Sequence, residues 1–243
     1  MENWSWSQYK QWISQNMQNG YQYLFRGQEN PGWKLQTSFH RAIQNNPNIT
    51  LEIYLHNIIP ELNNILVSQG FENHLLYDPV NLNSFLAKLQ HHGFPTPLLD
   101  WTYNPYIAVY FAIEKIGRND SYGAFSLFIF DYIQWITTNF QPIDLISPNP
   151  FVSTFKPNYA NNPRLITQNS ILTVTNVDDI QEYLTNAERQ QGKKFLYKIN
   201  IYKKEIPQIK SDLESMGITK KKLFPNLDEV CNEMALNFFQ NSL

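Results

Sequence analysis

Residues 90–114, QHHGFPTPLLDWTYNPYIAVYFAIE, hold the densest chemistry in the chain. Two adjacent histidines, His91 and His92, come first. Gly93, a threonine (Thr96) set between Pro95 and Pro97, and then Asp100-Trp101-Thr102 follow. Gly93 and Pro95 stop the helix that reaches His92, and Pro97 and Pro105 stiffen what comes after. Polar groups in a rigid turn are held the way binding and catalytic groups are held, on a loop set by a scaffold. Histidine can exchange a proton near neutral pH or hold a hydroxyl, and Asp100 can stabilise developing positive charge. Only one of two adjacent histidines on a regular element faces a given pocket. The expectation is His92, beside the glycine, with His91 bonding a core carbonyl or a ligand hydroxyl. Each of these residues has a plain alternative. Either histidine can be a satisfied core residue, Trp101 can be core, and Asp100 or Thr102 can cap the next helix.

A second stretch faces the first. Tyr23-Leu24-Phe25 is a short apolar strand that ends in Arg26-Gly27-Gln28. A guanidinium at a strand end offers a planar fork of donors to a phosphate or carboxylate, and Gly27 lets backbone approach a ligand. The alternative is an Arg26 paired with a nearby carboxylate.

The elements that must position these groups alternate. Residues 3–19 fit a helix, 21–25 a strand, and 28–37 a loop broken by Pro31-Gly32. Thr50 caps a helix running to Ser68, with Leu51, Tyr54, Leu55, Ile58, Leu62, Ile65 and Leu66 at helical spacing and a kink at Pro60. Helices follow at 81–91 and 105–115, the second with Pro at its first turn and joined to the first by a loop over 93–102. Residues 123–130 are a central buried strand, 134–161 a long Pro- and Asn-rich loop, and 165–174 and 194–201 further strands. Helices at 205–216 and 226–239 finish the chain. There is no internal repeat and no linker. A single α+β domain is expected over 1–243, a central mixed or antiparallel sheet flanked by helices, with an N-terminal helix over 1–20 packed on a body over 21–240.

Composition narrows the function. The 243 residues carry a net charge of −2 and only 16% charged residues. A mainly electrostatic nucleic-acid binder would show a basic patch, and the one basic run is Lys220-Lys221-Lys222, a solvated helix end. The single Cys231 sits in an apolar helical pattern, so a disulfide framework or a thiolate zinc site is not expected. Residues 1–19 have no leader-like apolar run, and no stretch is apolar enough to span a membrane. A soluble cytoplasmic protein is expected. A metal-dependent nuclease or hydrolase would draw on His91, His92 and Asp100 with His40 or His74, but adjacent histidines lack the spacing for joint ligation from a helix. No metal is expected. No Gly-x-Ser-x-Gly supports a serine nucleophile.

The two stretches together resemble the FRG domain family, named for a Phe-Arg-Gly motif. The residues that carry the resemblance are Phe25-Arg26-Gly27-Gln28, the spaced Trp33, Leu35, Ser38 and Arg41, and the block from Gln90 through Asp100-Trp101-Thr102 to Ala112. Weaker matches lie at Asn162, Arg164, Gln168 and Ser170, and from Leu223 to Asp228. Pro97 stands where the family often has Arg. The order of these motifs is similar to that of mono-ADP-ribosyltransferases, and the resemblance implies that Arg26 holds the phosphates of NAD. Asp100-Trp101-Thr102 would lead into the helix at 105–111. Gln168 would contact a ribose hydroxyl where that plan has a glutamate, with Asp100 or Glu229 as the substitute acid. It further implies substrate contacts from Gly27, Gln28, His91, Thr96, Trp101, Thr102 and Tyr110, with Trp101, Tyr110 or Trp33 as the aromatic wall for nicotinamide. His92 or His91 would hold the ribose. The expected reaction is ADP-ribosyl transfer to a protein or nucleic acid, or hydrolysis of NAD, in a toxin or phage-defence effector. The alternative is a non-catalytic sensor that binds a nucleotide or a phage protein.

Overall fold

In a computed structural model, the structure describes residues 2–18, 22–116, 123–156 and 167–224. Asn162, Arg164, Glu229, Cys231 and the helix expected over 226–239 lie outside the described residues. Seven strands form one sheet: β1 (Glu2–Trp4), β2 (Tyr23–Gln28), β3 (Leu98–Thr102), β4 (Ala124–Asp131), β5 (Val152–Phe155), β6 (Ser170–Thr175) and β7 (Leu196–Tyr202). Their spatial order is β1-β7-β4-β2-β3-β6-β5. Only β1 runs parallel to its neighbour, so the sheet is mixed.

The described helices are α1 (Trp6–Asn16), α2 (Ser38–Gln44), α3, α4 (Pro79–His91), α5 (Pro105–Ile113), α6 (Tyr132–Thr138), α7 (Ile180–Gln191), α8 (Ile206–Ser215) and α9 (Lys220–Leu223). Helix α3 runs through Leu51–Ile53, a π turn at Tyr54–Ile58 and Ile59–Ser68. The wide turn comes just before Pro60, which has no N–H to return to His56. The chain thus answers the proline with a π turn.

Three clusters make the core. Phe25 on β2 and Thr102 on β3 are register partners, so their side chains share a face of the sheet, as do Asp100 and Leu98 two and four residues before Thr102. That face carries two separate helical groups. Over β2, β4 and β7 lie α1, α5 and α8, packed through Trp6, Tyr9, Phe25, Ala108, Ala112 and Ile209. Over β3, β5 and β6 lie α2, α3 and α4, packed through Phe39, Tyr54, Phe85, Leu98 and Leu172. The opposite face is covered by α6 and α7, through Trp135, Ile180 and Leu184 against Leu24, Leu99, Trp101 and Phe130. Two helical groups side by side on one face leave a valley between them, over the junction of β2 and β3.

The α+β class and the flanked sheet hold, and several boundaries move. Residues 3–19 are not one helix: Glu2–Trp4 is an edge strand, and Ser5 then caps α1 with a reciprocal bond to Gln8. The expected 93–102 loop contains β3, and the 134–161 loop contains most of α6 and all of β5. Helices α2 and α7 fall outside the expected elements, although Ile180, Tyr183, Leu184 and Ala187 keep helical spacing along α7. Of the strand expected over 165–174, residues 165 and 166 lie outside the described residues; among the described ones it runs from Ser170, behind a turn in which Asn169 takes φ +47°.

Helix α1 docks by charge as well as by packing. Asp212 on α8 accepts hydrogen bonds from Lys10 Nζ (2.6 Å), Trp6 Nε1 (2.7 Å) and Gln208 Nε2 (2.6 Å). These bonds, Lys10 first, pull its carboxyl down to about 2. A depressed carboxyl stabilises the fold above its unfolded value and loses that contribution as the pH falls through its folded value. The docking of α1 is therefore complete above pH 4 and weakens from there towards about pH 2. Trp fluorescence during an acid titration should show this loss in the wild type. Asp212→Asn should be less stable at neutral pH and flatter across that window.

Candidate functional site

Along β2, all six residues pair with β4, but only Phe25 pairs with β3, opposite Thr102. Strand β3 meanwhile pairs with β6 over its whole length. Beyond Phe25 the sheet therefore opens. Arg26, Gly27 and Gln28 leave the side of Leu99, Asp100 and Trp101. The opening lies beneath the valley between the helical groups, and together they form a cavity of about 1140 Å³. Its floor is β2 and β3, one wall is α5 with Phe111 and Glu114, and the other is α2 and α4 with Arg41, Gln90 and His91.

Arg26 spans the opening. Its Nη1 donates to the Asp100 carbonyl at 2.8 Å. The residue is half-buried, and its Nε is shut off from solvent with no acceptor among the described residues. Burial lowers its pKa. Asp100 opposes that shift and Arg41 reinforces it. Arg41, one turn into α2, donates through Nη1 to the Gln36 carbonyl at 2.6 Å. Neither arginine has a carboxylate within 4.0 Å among the described residues. Two guanidinium groups held by carbonyls, each with donors to spare, are a candidate anion site. The ion pair that was the plain alternative for Arg26 is absent among the described residues.

Asp100 is exposed, and its orientation is set from behind. Thr96 donates its hydroxyl proton to Gln90 Oε1, and Gln90 Nε2 donates to Asp100 Oδ1 at 2.8 Å. Thr96 is itself fully buried, its N–H bonded to Ser38 Oγ and its carbonyl to the Phe39 N–H. The turn before it is fixed by Gly93 at φ +86° and by the Phe94 N–H on the Leu89 carbonyl. The dense punctuation of residues 90–102 thus ends α4, enters β3 and aims one carboxylate. Asp100 caps no helix; Asn104 caps α5. Thr96→Val keeps the shape and removes the first bond of the relay. It should leave the fold intact and weaken ligand binding or turnover about five-fold, the worth of one uncharged hydrogen bond. Calorimetry with a matched melting curve checks this.

The other expected site residues divide. Gly27, Gln28, His91, Trp101, Thr102 and Gln168 border the same cavity as Arg26 and Asp100; His92, Thr96 and Tyr110 do not. His92 is the exposed C-cap of α4, so the histidine facing the cavity is His91, also exposed. Gly27 is needed for packing. A Cβ there would lie 2.0 Å from the Ala108 carbonyl oxygen, on the helix side and not towards a ligand. Trp101 is core, 3% exposed, with Nε1 donating to Thr173 Oγ1 at 3.1 Å. Thr102 spends its hydroxyl on the Gln168 carbonyl (2.7 Å) and the Asn104 N–H (3.0 Å). Gln168 lies in the turn before β6, and its amide donates to the Leu223 carbonyl at 3.1 Å. Tyr110 packs with the α1–α5–α8 cluster, where burial and Glu114 push its hydroxyl up to about 12.

Trp33 is the exposed aromatic on the rim. The loop that carries it is pinned by Lys198 Nζ on the Pro31 carbonyl (2.7 Å), by Gln36 on Asp178, and by Lys34 beside Asp179 (3.4 Å). Phe111 and Phe224, edge to face at 6.0 Å, form a second aromatic border. Arg41, Gln90 and Phe111 were visible in the motif block without being assigned a role; a helix register for 38–44 would have turned Arg41 towards the valley. His40 is buried against Thr37 and kept neutral by burial. Among the described residues, no three His, Cys, Asp or Glu side chains group in a way that could hold a metal. No described helix is long and apolar enough to cross a membrane.

Comparison with known proteins returned no matching curated protein and no matching solved structure. One family model does match, over residues 21–121. That stretch takes in β2, α2, α4, β3 and α5, the elements that build the split and most of its walls, while Gln168 and Phe224 fall beyond it. The chain carries an FRG domain over residues 21–121.

Proposed function

We propose that the split between β2 and β3 binds NAD, and that the protein transfers ADP-ribose from it or hydrolyses it. The observation that carries this reading is Arg26. It is a half-buried cation at the mouth of a sheet opening, paired with no carboxylate among the described residues, with a second guanidinium at Arg41 acting on it. Such a pair suits a diphosphate, and the cavity is roomy enough for a dinucleotide. Trp33 on the rim, or Phe111 with Phe224, offers a flat apolar surface to nicotinamide or adenine.

Cleavage breaks the bond between the ribose C1′ and the nicotinamide nitrogen. The electron pair leaves with nicotinamide, and positive charge spreads over C1′ and the ring oxygen. A carboxylate aimed at that region lowers the barrier. Asp100, exposed and steered by Gln90, is the candidate for that role. The acceptor is water, or a nucleophile on a protein or nucleic acid. A toxin or phage-defence role belongs to the same proposal and rests on resemblance alone.

One observation favours a second reading, a nucleotide sensor without turnover. The position where the transferase plan has an acid is the neutral Gln168, and its amide is already committed to Leu223. Purified protein incubated with NAD, alone and with cell extract, separates the two readings. Nicotinamide release that Asp100→Asn lowers about 100-fold, with NAD binding retained, supports the enzyme. Binding without release supports the sensor. Neither binding nor release overturns both.

A further inference from the structure

Arg26 is not the only group in the split with unspent hydrogen-bonding capacity. Gln28, two residues along β2, is 6% exposed, and its Oε1 is buried with no partner among the described residues. Its Nε2 donates to the Lys34 carbonyl at 3.2 Å. A carbonyl can only accept, so the nitrogen must face Lys34 and the orphan atom must be the oxygen. Burying an acceptor without a donor is costly, and native structures avoid it unless something else supplies the bond. Both Gln28 and Arg26 border the cavity. The strand therefore presents a spare donor, Arg26 Nε–H, and a spare acceptor, Gln28 Oε1, two residues apart. Their Cα atoms stand roughly 6.6 Å apart along the strand.

A ligand that satisfies both must place an anionic or carbonyl oxygen beside Arg26 and an O–H or N–H beside Gln28. A carboxylate at neutral pH has no such proton to give, and a bare diphosphate has no ribose hydroxyl or base amine to place beside Gln28. We infer that Gln28 reads a hydrogen-bond donor, a ribose hydroxyl or a base amine, on a ligand whose phosphate sits on Arg26, so that the cleft selects a 5′-nucleotide unit over a simple polyanion. This rests on the nucleotide reading of the cleft and adds to it the residue that sets specificity. The neighbouring loop suits such recognition. Trp33 stands on the rim of the same cavity, and Lys34, whose carbonyl fixes the Gln28 amide, is held in turn by Asp179.

The test is a binding cycle by calorimetry on the full chain. Its ligands are AMP, 2′-deoxy-AMP, 3′-deoxy-AMP, inosine monophosphate and inorganic pyrophosphate, and its proteins are wild type and Gln28→Leu. In the wild type, one of the three altered nucleotides, the one lacking the donor that Gln28 reads, should bind about 10-fold more weakly than AMP. In Gln28→Leu that difference should vanish, with pyrophosphate binding equally to both proteins. The wild-type ligand series needs no folded variant, and pyrophosphate binding by Gln28→Leu reports that the rest of the site survives. Equal binding of all four nucleotides by the wild type overturns the inference, as does an equal loss on every ligand in Gln28→Leu. Failure of AMP to bind overturns it too. If NAD is not cleaved but the discrimination is present, the cleavage reading fails and this one stands. If NAD is cleaved and the cycle shows no coupling, the reverse holds.

Discussion

Arg26→Ala should lower NAD binding by about 100-fold or more while moving the melting temperature by only a few degrees. The two halves of that result have separate causes. A guanidinium in a largely desolvated opening contributes charge-assisted hydrogen bonds to a phosphate, each stronger than a neutral bond, and their loss compounds. Its structural commitment is small: one bond to the Asp100 carbonyl, worth about 2 kcal/mol net, with no carboxylate within 4.0 Å among the described residues to be left unpaired. Arg26→Lys should rescue poorly, because an ammonium cannot hold Asp100 and a ligand through a rigid fork. Calorimetry beside thermal unfolding checks both halves. A variant that unfolds in step with its loss of binding would make Arg26 a structural strut between β2 and β3.

Gly27→Ala is expected to have the largest effect on stability. The added Cβ would sit 2.0 Å from the Ala108 carbonyl oxygen, 2.7 Å from Ala112 Cβ and 2.9 Å from the Ala112 N. Two of these three atoms are backbone, so relief requires α5 to lift off β2, against the cluster of Phe25, Ala108 and Ala112. Overpacking of this kind costs about 3 kcal/mol. The site should suffer with it, since α5 carries Phe111 and Glu114 to the cavity wall. Gly93→Ala is the contrast. It meets no atom within 4 Å and carries only the strain of φ +86°, roughly 1 kcal/mol. Urea denaturation of the two variants should rank them in that order. A Gly27→Ala protein as stable as the wild type would contradict the close approach of α5.

The α+β class and the two ends of the candidate site were legible in the sequence because both rest on local signals. Gly93, Pro95 and Pro105 are steric punctuation, and Arg26-Gly27 at a strand end is a short pattern. Residues 93–102 read as a loop because Pro95 and Pro97 mask the apolar Leu98-Leu99 that opens β3. The exchange of His92 for His91 could not be read at all. It depends on where α4 ends, and one residue of register turns the side chain by about 100°. Gly27 shows the same limit from another side. Its conformational freedom suggested a ligand, but the atom that forbids a side chain is the carbonyl of Ala108, eighty-one positions away and in contact only once the sheet forms. The split itself is a tertiary fact: nothing in the residues of β2 or β3 says that they pair at Phe25 and Thr102 and then part.

A structure of the protein with ADP-ribose bound is the sharpest check on the cleft as a nucleotide site. The diphosphate should lie between β2 and β3, with a phosphate oxygen within hydrogen-bond distance of Arg26 Nε and the Arg41 guanidinium turned towards it. A donor of the ligand should meet Gln28 Oε1. ADP-ribose bound elsewhere on the molecule, with Arg26 Nε still without a partner, would contradict this.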